Sequence, residues 1–262
     1  MKPINLSRDF SYLAPIVVDD LIRLGASNDG GYVVRISSIL ESNFLLGLGL
    51  SDNWKFEEDF KKINNKIKIH CYDPFISPKI YSKLIIKGLI RILMGSRDFG
   101  HLFLKISALK NYYKFFPRSA VHFREKIVGR IDNLNDVTIG TAIKRTKSSA
   151  IFLKIDIEGS EYEIVEEILN LKSKINSLVI EFHDISTRRI EFEKCIRSIK
   201  EHFALVHLHA NNYGFIGTDG LPDVLEITFS KLEMHFSKRT SLPLVDLDAP
   251  NAPSLPDIKL LF

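Results

Sequence analysis

A chain of 262 residues, 45% apolar and 26% charged, can build one substantial α/β domain with insertions and is too apolar for wholesale disorder. Its two cysteines, Cys71 and Cys195, match no metal-binding or redox spacing and fit a reducing compartment. The net charge of +4 hides an uneven distribution: residues 76–118 hold nine Lys/Arg against one acid, Asp98, so this stretch is +8 and the remainder −4.

The first ten residues lack the apolar centre of a signal peptide. The longest apolar stretch, Leu84 to Met94, is interrupted by Lys87, Gly88 and Arg91 and is too short to span a bilayer. A cytoplasmic protein is expected, with membrane association open only through the basic segment.

In chain order, Arg23 to Val34 reads as a glycine-bearing turn entering a short apolar strand. Asn43 to Leu50 reads as a buried strand ending in Gly47 and Gly49, and Phe56, Phe60 and Ile63 then recur at helical spacing. A second strand starts at Lys68 and stops at Asp73-Pro74. In the basic segment Lys79, Lys83, Lys87 and Arg91 fall at successive i+4 positions with aliphatic residues between them, so residues 76–120 are expected to be a helical insertion or cap. A third strand is expected within Val121 to Val128. A strand then ends at Asp156, followed by a capping box of Ser160 and Glu163 and a helix facing inward through Ile164, Val165, Ile168 and Leu169. Residues 177–184 form the next strand, and Phe192, Cys195, Ile196 and Ile199 mark a helix. The last strands, 203–209 and 223–229, are expected to pair antiparallel at the sheet edge, and the proline-rich residues 239–262 to run as an extended tail.

Alternating strands and helices imply a mostly parallel, doubly wound sheet, which binds ligands at the carboxyl ends of its strands. That rule selects Gly47, Gly49, Asp73, Asp156, Glu158, Glu181, His183, His209 and Asn211. Glycines after the first strand let backbone approach a ligand closely, and Asp73, about 24 residues beyond Gly49, can accept both ribose hydroxyls of an adenosine. This pair suits an adenosine-containing ligand without separating a nicotinamide dinucleotide from S-adenosylmethionine.

The segments DGGYVV, LLGLGLSDNWKFE, HCYDPF, IFLKIDIEGSEYEIV, VIEFHDI, HLHANNYG and LPDVLEITF, in that order from Arg23 to Phe229, resemble the FkbM-like methyltransferases. The resemblance implies a single Rossmann-like class I methyltransferase domain over 1–262, with a seven-stranded, mostly parallel sheet and an antiparallel last strand. It also implies S-adenosylmethionine as cofactor and O-methylation of a sugar or related metabolite in glycan or surface polysaccharide biosynthesis. The basic segment has no counterpart in it.

Methyl transfer to a hydroxyl needs the acceptor aligned and its proton removed. His183 is the first candidate base, since imidazole titrates near neutrality; a structural histidine is the competing reading. Asp156 and Glu181 complete the catalytic candidates. The cofactor candidates are Gly47, Gly49, Asp73, Asp156 and Asp29, the last of which either closes over the cofactor or, with Asn28, shapes the turn. Mg2+ is a second candidate cofactor, held by Asp156, Glu181 and His209. Glu161 reads as a helix N-terminal acid favoured by the macrodipole, and the His207/His209 pair as sheet packing. The basic segment has three readings: a cap attracting phosphates of an anionic sugar substrate, an amphipathic contact over 79–118 with an anionic membrane, or a solvated hairpin. No nucleic-acid recognition motif accompanies its charge, so a small-molecule or glycan partner is expected. Two competing functions remain, a catalytically silent membrane or assembly factor and, less favoured for want of a third glycine, an NAD-dependent oxidoreductase.

Overall fold

The apolar runs become the inner strands of a sheet covered on both faces. The computed structural model describes residues 4–6, 8–95, 98–232 and 237–262, so part of the N-terminal segment and Ser96 and Arg97 of the basic segment lie outside the described residues. The sheet strands are β1 (Phe44–Leu48), β2 (Lys68–Tyr72), β3 (Val121–Phe123), β4 (Ile151–Ile155), β5 (Ile175–Phe182), β6 (Ala204–Ala210) and β7 (Leu225–Ser230). Their lateral order is 3-2-1-4-5-7-6, with β7 antiparallel to both neighbours and the other pairings parallel. This is the Rossmann-like class I methyltransferase sheet. The last two strands pair antiparallel at the sheet edge, as expected, with β7 inserted between β5 and β6 and β6 outermost.

Every residue of β1 and β4 is buried, as the central strands of a doubly covered sheet must be. Phe44, Leu46, Leu48, Ile151, Leu153 and Ile155 point to one face. There they meet α4 (Ile139–Thr146), α5 (Glu161–Asn170) and α6 (Arg189–Lys200). Leu45 and Phe152 point to the other face, against Phe56 and Phe60 of α1 (Lys55–Ile63) and Val34 and Ile39 from the N-terminal part. The same alternation places Gly47 and Lys154, direct cross-strand partners, on this second face.

Three local readings change. The strand within 121–128 divides, because Lys126–Val128 leaves the main sheet to pair with Asp136–Thr138. The Ser160 side chain makes no capping bond; the Glu161 carboxylate accepts from Ile157 N and Gly159 N instead. The tail is extended but anchored: Leu260–Leu261 pairs with Ser241–Leu242 and, in parallel, with Ile4–Asn5. The basic segment is a helical hairpin of α2 (Pro78–Leu93) and α3 (Phe99–Ser119), capped by Ser77 and Asp98. No helix among the described residues is long and apolar enough to cross a membrane.

Candidate active site

Strand order reverses between β1 and β4, and a cavity of about 200 Å³ opens at their carboxyl ends. Gly49, Leu50, Ser51, Asp73, Asp156 and Glu158 are among its lining residues. The turn after β1 requires glycine at 49, where φ is +76° and a Cβ would lie 1.6 Å from the Asp156 carbonyl oxygen. Backbone is thereby exposed where a side chain would otherwise stand. Asp73, buried at the end of β2, accepts from Leu50 N and Ser51 N at 2.9 Å and from Phe75 N at 2.7 Å. Its carboxylate thus ties the glycine turn to the second strand at the cavity wall.

Gly47 does not line this cavity. It lies inside β1, where a Cβ would come within 2.8 Å of Glu57 Oε1. Its bareness admits a buried carboxylate, which corrects the reading of Gly47 as a cofactor contact. Burial pushes Glu57 up to about 7, against the opposing pull of Lys154. Lys154 is itself buried and donates to Gly49 O at 2.6 Å, fixing the turn from beneath. Burial works against its charge, but Asp156, Glu57 and Glu181 outweigh it and raise its pKa.

A second cavity, about 280 Å³, shares Asp156 and Glu158 with the first and adds Asp29, Glu181, His183, Asn211 and Tyr213. Asp29 therefore faces this chamber, and Asn251 of the tail donates to its Oδ1 at 3.2 Å. The Tyr32 hydroxyl bridges Asp156 Oδ2 at 3.0 Å and Glu181 Oε2 at 2.9 Å. A hydroxyl has one proton to give, so this bridge requires a proton on one of the two carboxyls. Burial first, then the charges of Asp156 and Glu226, raise the Glu181 pKa well above the carboxylate range, which suits this carboxyl to hold the proton. Asn211 Nδ2 donates to the other Glu181 oxygen at 2.7 Å.

His183 follows β5 directly. Its Nδ1 lies 3.1 Å from Glu161 Oε1, and its Nε2 faces Glu158 and Glu181 at 3.7 and 3.9 Å. Burial opposes its charge, but the bond to Glu161 and the charges of Glu181, Glu161 and Asp156 prevail and push it up to about 9. Glu161, expected to be only a helix-end acid, is fully buried and orients this imidazole. The loop from β4 to Glu161 is strained: Glu158, a non-glycine residue, sits at φ +54° beside Gly159 at +94°.

The structure thus brings together Asp156, Glu181 and His183, with Asn211 beside them. His209 stands apart, its nitrogens 3.1 Å from Glu226 and Asp257. With both nitrogens engaged it offers no ligand atom, so the metal set is corrected. Among the described residues, Asp156, Glu158 and His183 are the group whose ligand atoms converge, within 4.8 Å of one another. His207 is likewise paired, with Asp248 at 3.1 Å. Sequence reasoning missed Tyr32, Glu57, Lys154 and Glu161. The available signals were a lysine inside an apolar strand and a tyrosine whose burial demands a hydroxyl partner.

No protein-family model matches this chain, and no curated protein matches it. Solved structures of similar layout include the fibrillarin pre-rRNA processing protein of Methanococcus jannaschii, at 12% identity and TM-score 0.36, covering 74% of this chain and 68% of that one. A candidate tRNA methyltransferase of Streptococcus pneumoniae, in complex with S-adenosyl-L-methionine, is 14% identical with TM-score 0.36 and coverage of 77% and 72%. The precorrin-6y C5,15-methyltransferase of Geobacter metallireducens is 11% identical with TM-score 0.35 and coverage of 75% and 85%. At such identities and scores they say nothing of this chain's chemistry; its fold rests on its strand order.

Proposed function

We propose that this chain is an S-adenosylmethionine-dependent O-methyltransferase acting on a hydroxyl of a sugar, as its resemblance to the FkbM-like enzymes implies. The observation that carries the reading is the pair of adjoining cavities with Asp156 and Glu158 as their common wall. The first fits the adenosine part, between the Gly49 turn and the Asp73 carboxylate. The cofactor supplies an electrophilic methyl group on a cationic sulfur, and a wall of carboxylates suits that charge.

Acceptor and base belong to the second cavity. Asn211 and the acidic side chains there offer hydrogen bonds suited to a polyol. His183, held by Glu161, turns Nε2 toward the shared wall, where it takes the acceptor's proton once the cationic cofactor has lowered its pKa and its own proton has left to solvent. An acidic chamber disfavours a phosphate, so any anionic group of the acceptor binds outside it. Mg2+, if the reaction uses it, is held by Asp156, Glu158 and His183, with Glu161 as the outer partner of the imidazole. An EDTA arm in the activity assay reads this directly.

Calorimetric titration with S-adenosylhomocysteine, with NAD as control, tests the reading. Micromolar binding is expected, weakened about 10- to 100-fold in Asp73→Ala and less in Asp73→Asn. Preference for NAD, or no binding of S-adenosylhomocysteine, overturns it.

A further inference from the structure

The α2–α3 hairpin carries the largest set of exposed apolar side chains in the described structure, and the methyltransferase reading leaves them unexplained. Tyr81 and Leu102 face inward, and Gly88 of α2 packs on Leu102 of α3. On the opposite side of α2, Ile86, Ile90 and Leu93 are 57%, 51% and 86% exposed. On α3, Phe99, Phe103 and Ile106 are 50%, 66% and 42% exposed. Each trio follows i, i+4, i+7, so each forms one stripe along its helix. Both stripes lie toward the turn that joins the helices. A soluble domain seldom leaves so many large apolar side chains uncovered on two neighbouring helices.

Cations flank the stripes. Lys83, Lys87 and Arg91 rise along α2, and Lys110 and Lys114 continue the outer face of α3. Lys105 is paired with Asp52, which with the Tyr81 hydroxyl on the same carboxylate holds the hairpin base against the body. We propose that this face docks on an anionic lipid bilayer, with the stripes entering the interface and the lysines meeting lipid phosphates. Charge selects this occupant. A second copy would bring one strongly basic face onto another. A nucleic acid would satisfy the lysines but leave the aliphatic side chains in water. The hairpin begins three residues after Phe75, which is 76% exposed and lines the first cavity. The inference does not depend on the methyl-transfer reading.

Co-sedimentation of the full chain with vesicles tests it. One set is phosphatidylcholine alone; in the other about a third of the lipid is phosphatidylglycerol. Binding is expected only to the second set, at least about ten-fold weaker in Leu93→Glu/Phe103→Glu and weakened also in Lys83→Glu/Lys87→Glu. All four positions are exposed, so thermal unfolding should match the parent chain and separate lost docking from lost fold. Equal binding to both sets, no binding to either, or full binding by the double glutamate variant overturns the proposal. So does a dimer in solution that Leu93→Glu dissolves, or RNA binding that Phe103→Glu leaves intact without vesicle binding.

Discussion

Two histidines, His183 and His209, are each surrounded by carboxylates and each held charged, yet they differ in use. His209 lies within β6, opposite Glu226 on β7, and Asp257 of the tail closes its other nitrogen. It is 2% exposed. Burial opposes its charge, but Asp257 and Glu226 together push it up to about 10. His183 has one nitrogen fixed on Glu161 and the other facing carboxylates beyond hydrogen-bond reach, on a cavity wall. Raised pKa values therefore do not mark a site by themselves. What separates a clasp from a site is whether the second nitrogen is spent.

Exchanging each histidine for alanine is the strongest way to break that contrast. His183→Ala is expected to lower methyl transfer about 100- to 10 000-fold while leaving S-adenosylhomocysteine binding near normal. Its stability loss should stay near 1 kcal/mol, because Glu161 keeps its two backbone donors. His209→Ala leaves Glu226 buried without its counterion and should cost about 3–5 kcal/mol of unfolding free energy in denaturant titration. Loss of activity without loss of stability in His209→Ala, or the reverse in His183→Ala, would refute the assignment.

The pH dependence of stability sharpens the comparison next. A histidine raised on folding stabilises fully below its unfolded value of about 6.5, and that contribution fades as pH rises through its folded value. For His209 the window closes near 10 and for His183 near 9. Unfolding free energy should therefore decline by a few kcal/mol between roughly pH 7 and 10. His209→Gln should remove most of that slope and His183→Gln less of it. A flat profile in the parent chain would show that neither pair gains charge stabilisation on folding.

The same contrast shows what the sequence made legible. Asp73, Asp156, Glu181 and His183 were legible because a doubly wound sheet puts function at strand ends, and the ends of apolar runs can be read directly. The pairing of His209 was hidden because the register between its strand and the next is not encoded in strand spacing. The antiparallel pairing of β6 with β7 was expected, but its register sets Glu226 opposite His209, and only the path of the tail brings Asp257. Glu161 was misread for a similar reason. Left-handed backbone at Glu158 and Gly159 turns the helix start so that this carboxylate points back to His183, which helix-end statistics cannot foresee. Gly47 and Gly49 look alike in sequence. Only the end of the strand at Leu48 separates them, leaving Gly47 inside it to make room for Glu57 and Gly49 in the turn at φ +76°.

The smallest predicted effect is also the most specific to the proposed chemistry. Glu181 and His183 both have raised pKa values, Glu181 through burial and the charge of Asp156, His183 through Glu161, Glu181 and Asp156 against its burial, although Lys154 already lies 3.4 Å from Asp156 Oδ2. S-adenosylmethionine is cationic at sulfur and S-adenosylhomocysteine is not, while the two match in every other contact the first cavity can offer. A cation at that wall disfavours protons on both groups, which titrate as a pair. Binding of S-adenosylmethionine near pH 8 should thus release up to about one proton more than binding of S-adenosylhomocysteine. Calorimetry in two buffers of different ionisation enthalpy measures that difference. His183→Gln should shrink it and His209→Gln should leave it unchanged, because the clasp lies outside both cavities. Equal release by both ligands would mean that the sulfur does not lie against Asp156 and Glu181. In that case His183 would remain an imidazolium at neutral pH, unable to take the acceptor's proton.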